Sequence, residues 1–494
     1  MATGRRWWSL SVRGLMALVL ASGGLAGWYA HEVSARRAAW ATIRAAGGRI
    51  AFRDEDPAAA GGWAWLYRRT GGDFCREVER IYLVLHEPAP DGGSPTPPPS
   101  DVTCAAIRRQ GWCESVTIHG LPATEAGLAE LAVARIDRLD LSLPNWTDGL
   151  LAQVRRMRHL KQIELGSSTD GAGRPRLPEL IAAVAALRQI EAVELHGRFD
   201  RRAEDADLSP LSALTGLREL RLAPSPRDER CLAALEPLAS LTSLKLEGTR
   251  LTDLGLARLA TAHPRLRSLV ADGAMVNDRG VEALAGLRDL EVLSLAPIFP
   301  APDRPEPGHL ADASLVALGG CRSLRELSLD HGHFTGAGLA ALAGLPLTAL
   351  DLDEMAEAGP GLARLVVGRT FERLTLRGPG VTDADLPALV GHFDPIFGRL
   401  DLTGVAVTDA GMPAFAGLKL QILTLKDTRI TDRGLAALGA GLDARLLNIH
   451  GTDVTRAGAA AFRVACPQVG LLYVPPRPAE GPAPVPATPS EAPQ

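Results

Sequence analysis

Large rings are scarce in this chain: aromatic residues are 4% of the sequence although hydrophobic residues are 46%. A core so poor in rings has to be built from stacked Leu, Ala and Val, and the same scarcity counts against a sugar polymer as ligand, which would need aromatic faces to stack on. A concentrated charge of one sign is missing too. A formal charge of −4 on 494 residues provides no basic face for nucleic acid, so no nucleic-acid partner is expected. Catalytic signatures are absent: there is no Gly-x-Ser-x-Gly, no His-Glu-x-x-His, no Gly-x-x-x-x-Gly-Lys and no Gly-x-Gly-x-x-Gly, which points to a non-enzymatic chain without a cofactor. The six cysteines show no Cys-x-x-Cys or Cys/His spacing of a zinc site. Cys104 and Cys113, close together just before an early strand, would close a small loop by a disulfide in an oxidising compartment.

Long apolar runs are also few, and the one that stands out is N-terminal. Arg5, Arg6 and Arg13 precede an uncharged run from Gly14 to Tyr29, with Trp7, Trp8, Trp28 and Tyr29 at its ends, where interfacial aromatics belong. The run has 16 residues, fewer than the roughly 20 of a spanning helix, so Arg13 would snorkel and Leu10 to Val12 would be drawn in. Cleavage is the rival reading, since Gly24-Leu25-Ala26 offers the small residues of a signal-peptidase site. The aromatic residues at both ends favour a retained anchor over residues 1–30. Arg36, Arg37 and Arg44 on the far side leave the positive-inside rule close to a tie; export of the remainder of the chain is expected because a signal-like N-terminus normally sends the downstream domain outward.

What the chain has in abundance is one repeated phrase. Thr-Asp-x-Gly-Leu-x-x-Leu is followed by Leu-x-x-Leu-x-Leu, and the Leu-x-Leu pairs end at Leu222, Leu246, Ala271, Leu295, Leu329, Leu352, Leu376, Leu402, Leu425, Ile449 and Val474, a step of about 24 residues. A unit this short cannot bury its own apolar face and has to stack on its neighbours, so the expectation is an α/β solenoid of about sixteen strands, horseshoe-shaped, with a parallel concave sheet and convex helices. Residues 31–74 read as a juxtamembrane helix ended by Gly47 and Gly48 and an N-terminal cap covered by Trp63, Trp65, Leu66 and Phe74; residues 75–474 are the solenoid, with Pro-rich insertions at 88–100 and 297–309; residues 475–494 are a Pro/Ala tail too poor in apolar bulk to fold. Thr or Asp of each Thr-Asp pair, as in Thr431-Asp432, caps a helix N-terminus. Cys321, Cys466 and His263 occupy one slot three residues before a strand's first apolar position, where a buried thiol packs as a small hydrophobe.

These repeats resemble leucine-rich repeats of the cysteine-containing type, the subclass also carried by F-box adaptors, over most of residues 75–474. The N-terminal part, Ala41-Thr-Ile43-Arg-Ala-Ala-Gly47-Gly48 followed by Trp65-Leu66, Gly72-Asp73-Phe74 and Val78, resembles bacterial membrane-anchored repeat proteins. The resemblance implies a membrane-tethered interaction protein with no catalytic residues to carry over. Leu177-Pro178-Glu179-Leu180-Ile181 looks like an F-box opening, yet it lies inside the array, where a loop-to-helix start with Pro near its first position explains it. The alternatives are an intracellular F-box-like adaptor or scaffold without membrane export and, after it, a metal-dependent or glycan-binding envelope protein.

Side chains alternate along a strand, so residues between the leucines face the concave side. The central strand positions run from Tyr82 to Tyr473 and are uneven in charge. Asp140, Glu164 and Glu194 form an acidic block meeting basic Arg221 and Lys245; a second acidic group gathers at Asp330, Asp351 and Asp353, with Asp401 beyond. These nine residues are the candidate contacts for a protein partner of complementary charge. Asp330, His331, His333, Asp351 and Asp353 also invite a metal reading, but the histidines follow the strand and should leave the face, so no metal is expected there.

Overall fold

The computed structural model describes residues 12–52, 78–84, 101–120, 123–143, 145–166, 176–196, 207–223, 229–296, 310–330, 332–439 and 441–472. Both Pro-rich insertions, the four cap aromatics and the C-terminal tail lie outside the described residues. Two compact units are described in turn, Met1–Pro226 with Cys231–Leu241 and Arg227–Arg230 with Thr242–Gln494.

In the first unit the strands Val78–Val84, Trp112–His119, Arg135–Ser142, Gln162–Gly166, Ala192–His196 and Glu219–Ala223 form a parallel ladder. Between successive strands the chain returns through the helices Asp101–Arg109, Glu125–Ala132, Asp148–Val154 and Leu177–Val184. Pro178 sits in the first turn of the last of these, where its missing N–H costs nothing, which is the helix start expected of Leu177-Pro178. The second unit continues the pattern from Ser243–Glu247 to Gly470–Leu472, its strands again parallel. Three shorter strands, Leu310–Ala311, Gly332–Thr335 and Met355–Glu357, make a separate parallel sheet there. Alternation is clear in strands such as Ser243–Glu247, where Leu244 and Leu246 are buried while Lys245 between them is half-buried; in two strands the central residue, Asp140 or Thr375, is buried as well. Cys321, Cys466 and His263 are all buried, as their shared slot predicts.

Two expectations for the N-terminal end change. The membrane segment and the juxtamembrane helix are one continuous helix, Val12–Ala45, closed by Gly47 at φ +80° and by the bond from Gly48 N to Ile43 O at 2.9 Å. No helix among the described residues is long and apolar enough to cross a membrane, so the expected transmembrane helix is not found. The uncharged run is short, and the helix containing it goes on through Arg36, Arg37 and Arg44 to dock on the first unit. Val33, Ala39, Trp40 and Ile43 are buried there, Trp40 donates its indole N–H to Gln110 Oε1, and its ring meets Phe52 edge-on at 4.9 Å. Arg49–Phe52 pairs antiparallel with Val78–Val84, so this helix and strand cover the edge of the first repeat.

The Thr-Asp-x-Gly phrase does more than cap. Its Thr accepts from a backbone N–H of its own helix, as Thr252 Oγ1 does from Gly255 N at 3.4 Å. Its Asp reaches forward to the next repeat: Asp383, Asp409 and Asp432 each accept from the amide and the hydroxyl of Thr408, Thr431 and Thr455, at 2.8 and 2.6, 2.8 and 2.6, and 2.7 and 2.6 Å. The glycine is what makes room. A Cβ on Gly434 would stand 2.2 Å from Asp409 Oδ1, and one on Gly458 2.0 Å from Asp432 Oδ1. Burial pushes the Asp409 carboxyl up, but the hydrogen bonds from Thr431 and from the Gly434 amide outweigh it and hold the group below the ordinary value of 3.8. Its contribution is therefore present above the ordinary carboxylate range and is lost as pH falls through the lowered folded value. Asp409→Ala should cost about 2 kcal/mol, since two charge-assisted bonds go and Thr431 loses its partner; a urea titration would show a lower midpoint at unchanged slope.

Candidate functional site

On the solvent side of the first unit's sheet, Thr117, Asp140, Glu164, Glu194 and Arg221 stand opposite one another on successive strands. Two residues further along each strand a second row runs His119, Ser142, Gly166, His196 and Ala223. Adjacent strands are about 5 Å apart, so three carboxylates in one row crowd each other and recruit cations. His119 Nε2 lies 2.7 Å from Asp140 Oδ2, and Arg221 Nη1 lies 2.7 Å from Glu194 Oε1. His196 Nδ1 points between Glu164 Oε1 at 3.5 Å and Glu194 Oε1 at 4.0 Å. Burial, then the charges of Asp140 and Glu194, raise the Glu164 carboxyl above its ordinary value, against the opposing pull of His196 and Arg138. The acidic block and Arg221 thus meet as the sequence predicts, while His119 and His196 are additions that a reading of central positions alone passes over.

The second unit carries the other candidates. Lys245 is paired on its own strand, Nζ 3.2 Å from Glu247 Oε1. Asp330, Asp351 and Asp353 bring carboxylate oxygens within 4.8 Å of one another. Asp353 and Asp401 are bridged by Arg377, whose Nη1 and Nη2 lie 3.1 Å from Asp353 Oδ1 and 3.1 Å from Asp401 Oδ2. The other oxygen of Asp401 accepts from the amide and hydroxyl of Thr403 at 3.0 and 2.6 Å. Arg377 is a residue the central stripe misses; its signal is its place two residues after Thr375 on the same face. His333 lies on the strand Gly332–Thr335 of the small sheet and is exposed there; His331 is outside the described residues.

Asp351 is the group whose environment matters most for pH. Burial pushes its carboxyl up to about 6, with Asp330 and Asp353 adding to the rise and Arg377 opposing it. The folded group binds its proton more tightly than the unfolded one, so its contribution to stability is fully present below the ordinary value of 3.8 and is lost as pH rises to about 6. Asp351→Asn should flatten this slope and stabilise the fold at neutral pH by about 1 kcal/mol after discounting for solvent screening; denaturant midpoints measured across that pH range check it.

Two sequence expectations are corrected. Asn448 stands opposite Leu472, not Tyr473, because Leu471 takes the inward place beside Leu447; Leu472 is 51% exposed and Tyr473 lies outside the described residues. Cys104 and Cys113 are free thiols. Cys104 is buried on the helix Asp101–Arg109, and Cys113 is buried on the strand Trp112–His119, its thiol donating to Ser115 O at 3.3 Å. Burial pushes both thiols up to about 12.

The family model described as Leucine Rich repeat matches residues 320–343. Comparison with curated proteins finds no match. Among solved structures the chain is similar to an internalin from Listeria monocytogenes, at TM-score 0.41 and 17% identity over 79% of this chain and 94% of that one. It is similar also to a leucine-rich-repeat protein of Leptospira interrogans, at TM-score 0.41 and 13% identity over 71% and 98%. A third likeness is to the mouse RP105/MD-1 complex, at TM-score 0.42 and 16% identity over 71% and 69%. The matched segment is one helix-and-strand repeat of the ladder described above. That segment matches the leucine-rich repeat, and the step of about 24 residues and the parallel strand pairing give the other repeats the same strand-and-helix architecture.

Proposed function

We propose that this chain is a non-enzymatic protein-binding module that docks its partner on the concave, strand-lined side of the repeats. The observation that supports the reading most directly is the preorganised charge on that side. Asp140, Glu164, Glu194 and Arg221 are locked in strand register, and Asp330, Asp351, Asp353, Arg377 and Asp401 are gathered into one network. Side chains already held in place lose little freedom on binding, which lowers the cost of association. The charges steer and select a partner of complementary pattern.

The N-terminal helix holds the repeats at a membrane surface, with the repeats on the extracytoplasmic side. This reading is supported by the uncharged run Gly14–Tyr29 and by Trp28, 59% exposed on the helix that docks on the first unit. Protease added to intact cells carrying a C-terminally tagged chain should remove the tag while the remainder fractionates with membranes; protection until lysis would place the repeats inside the cell.

For the binding reading, partners cross-linked to the full chain in cells are compared with those of Arg221→Glu and Arg377→Glu variants. Charge reversal should reduce capture of a specific partner by about tenfold or more. Identical recovery by the wild type and both variants, all folded, would sink the strand-face reading.

A further inference from the structure

We propose that Glu164, Glu194 and His196 form a binding site for a divalent transition metal of the zinc class on the strand face of the first unit. One imidazole nitrogen and two carboxylates, each offering one ligand atom, lie within 4.8 Å of one another. Zinc-class ions hold such nitrogen and oxygen ligands at about 2.0–2.2 Å, which sets ligand atoms on one ion roughly 3–3.5 Å apart, so closing this site takes shifts of about an ångström or less. Three protein ligands on a solvent-facing surface leave a position for water or for a side chain of a partner. The donor set is that of zinc rather than of calcium or magnesium, which want all-oxygen shells.

His196 is held in the manner of a metal ligand. Its Nδ1 is buried and makes no hydrogen bond, although it is aimed between the two glutamates. Its other nitrogen, Nε2, lies 3.5 Å from Ser142 Oγ. A proton on Nε2 donated to that hydroxyl leaves the Nδ1 lone pair facing the carboxylates, the orientation that an outer hydrogen bond imposes on a ligating histidine. The ring reaches this place because residue 166 has no side chain. A Cβ on Gly166 would stand 2.7 Å from His196 Nε2 and 2.1 Å from Ser142 Oγ. Four adjacent strand positions, Ser142, Glu164, Gly166 and Glu194, therefore converge on one imidazole.

Arg221 competes for the same site. It holds Oε1 of Glu194 at 2.7 Å, and Arg138 Nη2 lies 3.7 Å from Glu164 Oε2. A metal entering the cluster has to draw Glu194 partly away from Arg221, so removing that arginine should tighten metal binding. A histidine serving only as an ion-pair partner would predict no such gain.

The test is calorimetric titration of the full-length chain with zinc chloride at about pH 7.5, where unperturbed imidazole is neutral. About one equivalent should bind, unaffected by excess magnesium or calcium. His196→Ala and Glu164→Gln should each weaken binding by about tenfold or more, whereas Arg221→Ala should strengthen it. Asp353→Asn, in the other carboxylate cluster, should leave it unchanged. Circular dichroism reports folding, and Glu164→Gln, which keeps the side chain's shape, decides if His196→Ala does not fold. Absence of stoichiometric binding, or zinc binding that survives both His196→Ala and Glu164→Gln, would overturn the assignment. The site stands whether or not the face also docks a protein.

Discussion

Gly361→Ala should destabilise the second unit by about 3 kcal/mol, the upper end of what overpacking costs. Gly361 lies on the helix Gly359–Val366, and a Cβ there would stand 1.8 Å from Gly336 O and 2.5 Å from Gly336 Cα. Both obstacles are backbone, so no rotamer change relieves the clash. The reason for the close approach is visible in the repeat phrase itself. Elsewhere the Asp after the capping Thr reaches forward to the next repeat, but here Gly336 follows Thr335 and Ala358 stands where the next Thr would be. With the carboxylate bridge absent, the two helices close until backbone meets backbone; a Cβ on Gly336 would likewise stand 2.2 Å from Ala358 O. Gly344→Ala is the matched control, because a Cβ there meets nothing within 4 Å. Urea midpoints of the two variants should differ widely, and equal midpoints would contradict a backbone clash at Gly361.

The repeats are legible in the sequence because burial alternates with a short fixed period, and the Leu-x-Leu pairs announce both the strands and their inward face. The Thr caps are legible for a similar reason: the bond they make is local. The forward reach of Asp409 to Thr431 is not, since it joins residues 22 apart that become neighbours only once the stacking distance is known. Gly434 then acquires its explanation, as a residue kept small by the previous repeat's carboxylate rather than by its own turn. The same limit governs the candidate site. Asp140, Glu164, Glu194 and Arg221 are found by reading one position per strand, but the face is two rows deep, and His119, His196 and Arg377 sit in the row that such a reading skips. Proximity in sequence misleads in the other direction for Cys104 and Cys113, nine positions apart but on a helix and a strand with different surroundings.

Trp146→Ala should cost about 4 kcal/mol, as expected for truncating a large buried ring. The indole is 1% exposed, the largest of the fully buried side chains among the described residues. It follows the strand Arg135–Ser142 and precedes Thr147, which caps the helix Asp148–Val154 through Leu150 N at 3.2 Å. Its Nε1 donates to Gly166 O at 3.2 Å, so the ring both fills the turn of one repeat and pins the last residue of the strand in the next. That residue is the gap through which His196 reaches Ser142. Trp146→Phe separates the two roles: most of the apolar volume stays, and only the bond to Gly166 goes, for about 1 kcal/mol. If stability and zinc affinity fall together in Trp146→Ala but part in Trp146→Phe, with affinity lost and stability nearly kept, then the Gly166 carbonyl is what fixes the geometry of the face. If affinity follows stability in both variants, the ring acts through packing alone, and the placement of His196 depends on Ser142 and the glutamates around it.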